Sequence, residues 1–175
     1  MISGGGSGYP CIVALPRLQQ NNKLGSYNSR VNAQMLGLRI EDGTKNDPSI
    51  TLPPGEVGCL NFDLAEILSA IGDPAVTSEW QIGDLDCFGE SYAELVAAYE
   101  AAQPLSGARL LDLARRITQV IDGEFVARLR AHDAPWLVIK AIDSSWWEVW
   151  TDDQRARASL RKRFHAVSDI DAQAA

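Results

Sequence analysis

The sequence predicts an α+β fold: a three-stranded antiparallel meander over about residues 119–151, packed against two or three preceding helices and a C-terminal helix. Two observations carry that prediction. After Thr118 the apolar period changes from about 3.6 residues to 2, the signature of a helix giving way to strands. The strand-like runs that follow are also too closely spaced for crossover helices, which disfavours parallel β-α-β winding. Helices grouped on one face of an antiparallel sheet define the α+β class.

Residues 1–34 read as a loosely ordered N-terminal extension, and residues 35–175 as a single α+β domain. Gly4, Gly5, Gly6 and Gly8 open the extension, and a polar tract runs from Gln19 to Asn22. Two short apolar runs, Cys11 to Leu15 and Met35 to Ile40, have strand character. Asp42-Gly43, Asp47-Pro48 and Pro53-Pro54-Gly55 favour turns, because Gly admits positive φ and Pro holds φ near −65°.

From Asn61 the elements become sharper. Asp63 and Glu66 have capping-box spacing, Leu64, Ile67, Leu68 and Ile71 form a helical stripe, and Gly72 is its stop. Trp80 and Ile82 predict a short strand ending at Gly83. Ser91 and Glu94 form a second capping box for a helix with Tyr92, Leu95, Val96 and Tyr99 on one face, ended by Pro104. Ser106 caps a third helix, whose stripe is Leu110, Leu113, Ala114 and Ile117, with Arg109, Asp112 and Arg116 opposite.

The meander follows. Ile121, Gly123, Phe125, Ala127 and Leu129 alternate with Asp122, Glu124, Val126 and Arg128. A turn near Ala131 to Ala134 leads into the runs Trp136 to Asp143 and Trp146 to Thr151. Thr151-Asp152-Asp153-Gln154 then reads as a capping box for a last helix with Ala156, Leu160, Phe164 and Val167 on one face.

Charge sets the hairpin register. With Asp143, Ser144 and Ser145 as the loop, Ile142 opposes Trp146, Lys140 opposes Glu148 and Val138 opposes Trp150. Leu137, Ile139, Ala141, Trp147 and Val149 then form a wholly apolar second face. A two-residue loop at Ser144-Ser145 would lose both the ion pair and the clean core. Neighbours on a strand point to opposite faces, so Trp146 and Trp147 cannot share one interior. With Trp147 under the helices, Trp146 and Trp150 join Val126, Val138 and Ile142 on the far side. Such an apolar face needs a cover: residues 35–60, another helix of the chain, a partner or a second copy.

Composition narrows the function classes. The chain has 175 residues and a net charge of −7. Residues 61–104 hold nine acidic side chains and no lysine or arginine, while the flanking segments are nearly neutral. This field attracts basic partners and repels polyanions, so no nucleic acid is expected as ligand. No apolar run reaches the ~18 residues of a bilayer span, so no membrane partner is expected. Three widely spaced cysteines and a start without a basic-apolar leader point to a reducing cytoplasm.

No catalytic or cofactor motif is present, and no cofactor is expected. The residues expected to hold a partner are Trp146, Trp150, Glu148, Ile142, Val138, Asp84 and Asp86. They suit a small acidic cytoplasmic protein-binding module, by charge analogy an inhibitor or immunity-type partner of a basic protein. Two alternatives stand beside it. Asp84, Asp86 and Glu90 offer oxygen ligands for a metal-dependent hydrolase-like enzyme. A structural homo-oligomer would bring the acidic segment against Arg155, Arg157, Arg161, Lys162 and Arg163 of the last helix. That basic strip also matches the helix dipole, as do Asp152 and Asp153 at the helix start. His132 and His165 lack ligand spacing, and Cys87 reads as a core thiol.

Overall fold

The computed structural model describes residues 35–42, 60–129 and 134–170. Its elements are β1 (Leu36–Ile40), α1 (Leu64–Ile71), α2 (Asp73–Thr77), β2 (Glu79–Gly89), α3 (Tyr92–Glu100), β3 (Leu105–Ser106), α4 (Gly107–Ala114), β4 (Ile117–Arg128), β5 (Leu137–Ile142), β6 (Trp146–Thr151), α5 (Gln154–Arg163) and β7 (Val167–Ile170). The strands make one antiparallel sheet in the order β3-β2-β4-β5-β6-β1-β7. The expected loose extension over 1–34 with its run Cys11–Leu15, the turns from Gly43 to Gly55, and His132 lie outside the described residues.

The chain is thus of mixed α+β type with an antiparallel sheet, but the sheet has seven strands where three were expected. β4, β5 and β6 pair consecutively, and β5 meets β6 with Ile142 opposite Trp146, Lys140 opposite Glu148 and Val138 opposite Trp150. The other strands join from distant parts of the sequence. β1 inserts between β6 and β7, and β2 lies along the far edge of β4.

β2 corrects the expectation of a short strand ending at Gly83. If the alternation of Trp80 and Ile82 continued, Asp84 would point into the core. The pairing with β4 slips between Gly83 and Leu85, and Asp84 takes φ 42°, a conformation that Asp tolerates better than most side chains. The extra residue returns Leu85 and Cys87 to the core side, and the strand runs on to Gly89.

The last helix also differs. It ends at Arg163 instead of reaching Val167, and Phe164 is already extended at ψ 147°. The carboxylate of Asp42 accepts the backbone N–H of His165 at 2.9 Å and that of Ala166, and Glu41 N–H donates to Ala166 O at 3.0 Å. These bonds turn the chain into β7. The N-cap is Asp153 rather than Thr151, with Asp153 Oδ1 accepting from Arg155 N at 2.7 Å and Ala156 N at 3.1 Å. The Thr151 hydroxyl instead donates to Trp136 O at 2.8 Å.

Among the first helices, α1 has the expected capping box and stops at Gly72, φ 79°. Ser91 does not cap α3: its hydroxyl is buried and donates to Leu113 O at 2.7 Å, tying α3 to α4. Glu94 meets Arg109 and Arg116, and both arginines also bind Asp112. Ile117, expected on α4, begins β4.

Every described helix places buried side chains in one cluster, so all five cover the same face of the sheet. Trp80, Phe125 and Trp147 are fully buried there, and Trp80 Nε1–H donates to Ala75 O at 2.8 Å. The opposite face holds a smaller cluster of Met35, Val126, Val138 and Trp150, with Ile170 against it. Trp150 lies across β1 at Gly37, where a Cβ would come within 2.9 Å of its ring and of Ile170 Cβ.

Gly37→Ala is therefore expected to cost about 1–3 kcal/mol of stability through overpacking. Gly83→Ala, whose Cβ would meet nothing nearer than Glu124 at 3.6 Å, is expected to stay within about 0.5 kcal/mol. Urea unfolding of the two variants against the parent chain measures both.

Candidate partner-binding face

The cross-strand register assembles the far face row by row. Gln81, Val126, Val138, Trp150, Gly37 and Ile170 form one row, and Gly83, Glu124, Lys140, Glu148, Arg39 and Ser168 the next. A third row runs from Asp86 through Asp122 to Ile142 and Trp146. The apolar row is sealed: Val138 is 0% exposed, Trp150 2% and Val126 6%. This corrects the expectation of an open oily surface around Val138 and Trp150. Trp150 is packed between strands over Gly37, and only Trp146 and Ile142 of the expected set of apolar side chains stay half-exposed.

The middle row alternates in charge, Glu124, Lys140, Glu148 and Arg39 lying side by side on four strands. Lys140 Nζ is 3.3 Å from Glu124. Glu148 accepts both indoles, Trp146 Nε1 on Oε1 and Trp150 Nε1 on Oε2, each at 3.2 Å. Its role is to hold the tryptophans rather than to meet a partner. Arg39 stacks on Trp146 with Cζ 4.4 Å from the ring centroid, a cation–π contact that fixes the ring and leaves its remaining edge to solvent.

At the open end of this face the carboxylates gather. Asp84 and Asp86 are exposed on β2 and Asp86 pairs across to Asp122. Asp122 Oδ1 accepts the N–H of Asp143 at 2.9 Å, which brings the β5–β6 turn into the group, with Asp143 and Ser144 both at positive φ. Of the residues expected to bind a partner, the structure therefore brings Asp86, Ile142 and Trp146 together, with Asp84 alongside at the bulge. Asp122 and Asp143 were not singled out from sequence, since only the strand register reveals their place.

Glu90 does not join Asp84 and Asp86. It lies beyond Gly89 with its side chain exposed and 3.8 Å from Arg116. Among the described residues no group of three or more His, Cys, Asp or Glu side chains is arranged to hold a metal ion. The basic strip on α5 is partly spent internally. Arg157 is buried and donates to Leu36 O at 2.8 Å and to Asp169 at 2.7 Å, and Arg161 binds the same carboxylate at 2.6 Å.

A second polar centre lies on the helix side, where a cavity of about 210 Å³ opens between α1, the end of α4 and the start of β4. Asp63 stands in its wall. Oδ1 accepts from Leu64 N at 2.7 Å and Oδ2 from Val120 N at 3.0 Å, so one carboxylate caps a helix and satisfies a strand. Burial pushes its carboxyl up to about 6, with the Glu66 charge adding and the two backbone N–H groups opposing. Cys87, opposite Val120, is a buried thiol pushed up to about 12 by burial, then by Asp86 and Asp63. At neutral pH it is protonated and unreactive.

Because folding raises the Asp63 pKa above its ordinary 3.8, the folded state binds this proton more tightly than the unfolded chain does. That contribution to stability is complete below about pH 4 and is lost as pH rises through about 6. Relative to Asp63→Asn, the parent chain should lose on the order of 2–3 kcal/mol between pH 4 and pH 7. Urea unfolding of both proteins across that range measures it, and a difference that does not change with pH would refute the assignment.

Among the described residues no helix is long and apolar enough to cross a membrane. Comparison with known proteins finds no matching family model, no match among curated proteins and no match among solved structures.

Proposed function

We propose that this protein is a binding module for a basic protein, held at the end of the far face where Asp84, Asp86, Asp122 and Asp143 surround Ile142 and Trp146. The observation that supports it is the single cross-strand row Asp86, Asp122, Ile142 and Trp146. A half-exposed indole held by Glu148 and Arg39 is already ordered, so a partner loses little rotamer freedom on packing against it. The carboxylates around it give a lysine or arginine of the partner both attraction at a distance and pairing on contact.

The wider charge distribution favours the same reading. No basic side chain lies between residues 61 and 104, and within that span Arg109 and Arg116 reach Glu90 and Glu94 on α3 but not β2. The acidic character is thereby left on the β2 side of the molecule. An inhibitor of a basic enzyme has these surface needs, an acidic patch around a rigid aromatic anchor. Self-association is the competing arrangement, with Lys162 and Arg163 at the end of α5 as the basic side.

Affinity capture with the immobilised full chain, followed by titration of the captured protein, tests the proposal. The captured partner should be basic. Its Kd should weaken at least tenfold between 50 and 500 mM salt, and at least tenfold in Asp84→Asn/Asp86→Asn and in Trp146→Ala. Binding unchanged by all three would refute it, and concentration-dependent light scattering of the chain alone would favour self-association instead.

A further inference from the structure

The buried row on the far face has no helix above it. Val138 and Trp150 are 0% and 2% exposed, yet every described helix packs on the other side of the sheet. A valine on an uncovered sheet face keeps solvent contact, so this row has a lid. Its described apolar members are only Met35, Val126, Val138, Trp150 and Ile170.

We infer that the lid is the chain's own N-terminal segment, with the apolar run Cys11–Leu15 laid across Trp150, Val138 and Val126. Three observations lead there. Met35 is itself in the cluster at 3% exposure, so the 34 residues before it are delivered to this face at its apolar row. The 19 residues between Leu15 and Met35 reach up to about 60 Å when extended. The row crosses from β7 to β2, about 24 Å at ~4.8 Å per strand. Finally, the run Cys-Ile-Val-Ala-Leu carries no charge, and so matches the apolar row rather than the ion-pair row beside it.

The other candidate within the chain, residues 43–59, fits less well. It leaves β1 at Asp42, beyond Ile40 and away from Gly37, and rejoins at Asn61, whose N–H donates to Asp42 O at 3.4 Å. Both of its ends are therefore anchored at the end of β1 remote from the apolar row. The lid also leaves the acidic end with Trp146 uncovered, so it is independent of the partner reading above.

Disulfide trapping in the full chain tests the inference. Gln81→Cys puts a thiol in the apolar row, and Ala158→Cys puts one on the exposed side of α5. Under mild oxidation, Cys11 should link to the introduced thiol at position 81 at least tenfold faster than to the one at position 158, within single chains. Equal rates, or no link at position 81, would overturn the inference. Links between two chains would show that a second copy is the lid. As a readout without new thiols, the amides of residues 11–15 should exchange at least tenfold slower in the parent chain than in Trp150→Ala, and equal exchange would count against the lid.

Discussion

Successive residues of an extended strand face opposite ways, and in β6 that rule parts Trp147 from Trp146 and Trp150. The division organises the molecule. Trp147 and Val149 look toward the helices and anchor the main core with Phe125, whose ring centroid lies 6.4 Å from that of Trp147. Trp146, Glu148 and Trp150 look the other way, and both indoles donate to the one carboxylate between them. A single strand thus supplies the centre of the hydrophobic interior and the ordered framework of the opposite face.

That opposite face has two zones with different physics. Around Gly37 the row is apolar and sealed, and its tight fit of Trp150 against β1 and Ile170 leaves no room even for a methyl group. Toward the β5–β6 turn it is half-open and acidic. The alternating row of Glu124, Lys140, Glu148 and Arg39 separates them, and its opposite neighbours largely cancel. The uncancelled carboxylates at the open end, Asp84 and Asp86 among them, are therefore what a basic partner would feel.

Much of this was legible from local signals. The hairpin register followed from Lys140 and Glu148, and the first helix from Asp63, Glu66 and Gly72, because these are interactions of residues close in sequence or directly across a tight turn. The misses have long-range causes. β2 was cut short because the bulge at Asp84 breaks the alternation that a local window reads. The last helix was drawn too long because its end is set by Asp42, which binds N–H groups 123 and 124 residues away. The burial of Trp150 depends on β1 joining beside β6, a pairing that periodicity alone does not encode. The acidic cluster was half visible: Asp84 and Asp86 stood out in sequence, but Asp122 and Asp143 gained their place only from the strand pairing.

The clasp between Asp42 and the start of β7 bears on how the chain is made. β1 emerges early in synthesis but its neighbours on both sides, β6 and β7, come last, so the sheet cannot close until nearly the whole polypeptide has left the ribosome. The first strand must wait unpaired while the helices and the meander form. Such non-local closure slows the final step of folding, and it makes the last few residues, far from any proposed contact with a partner, a checkpoint through which every newly made molecule has to pass.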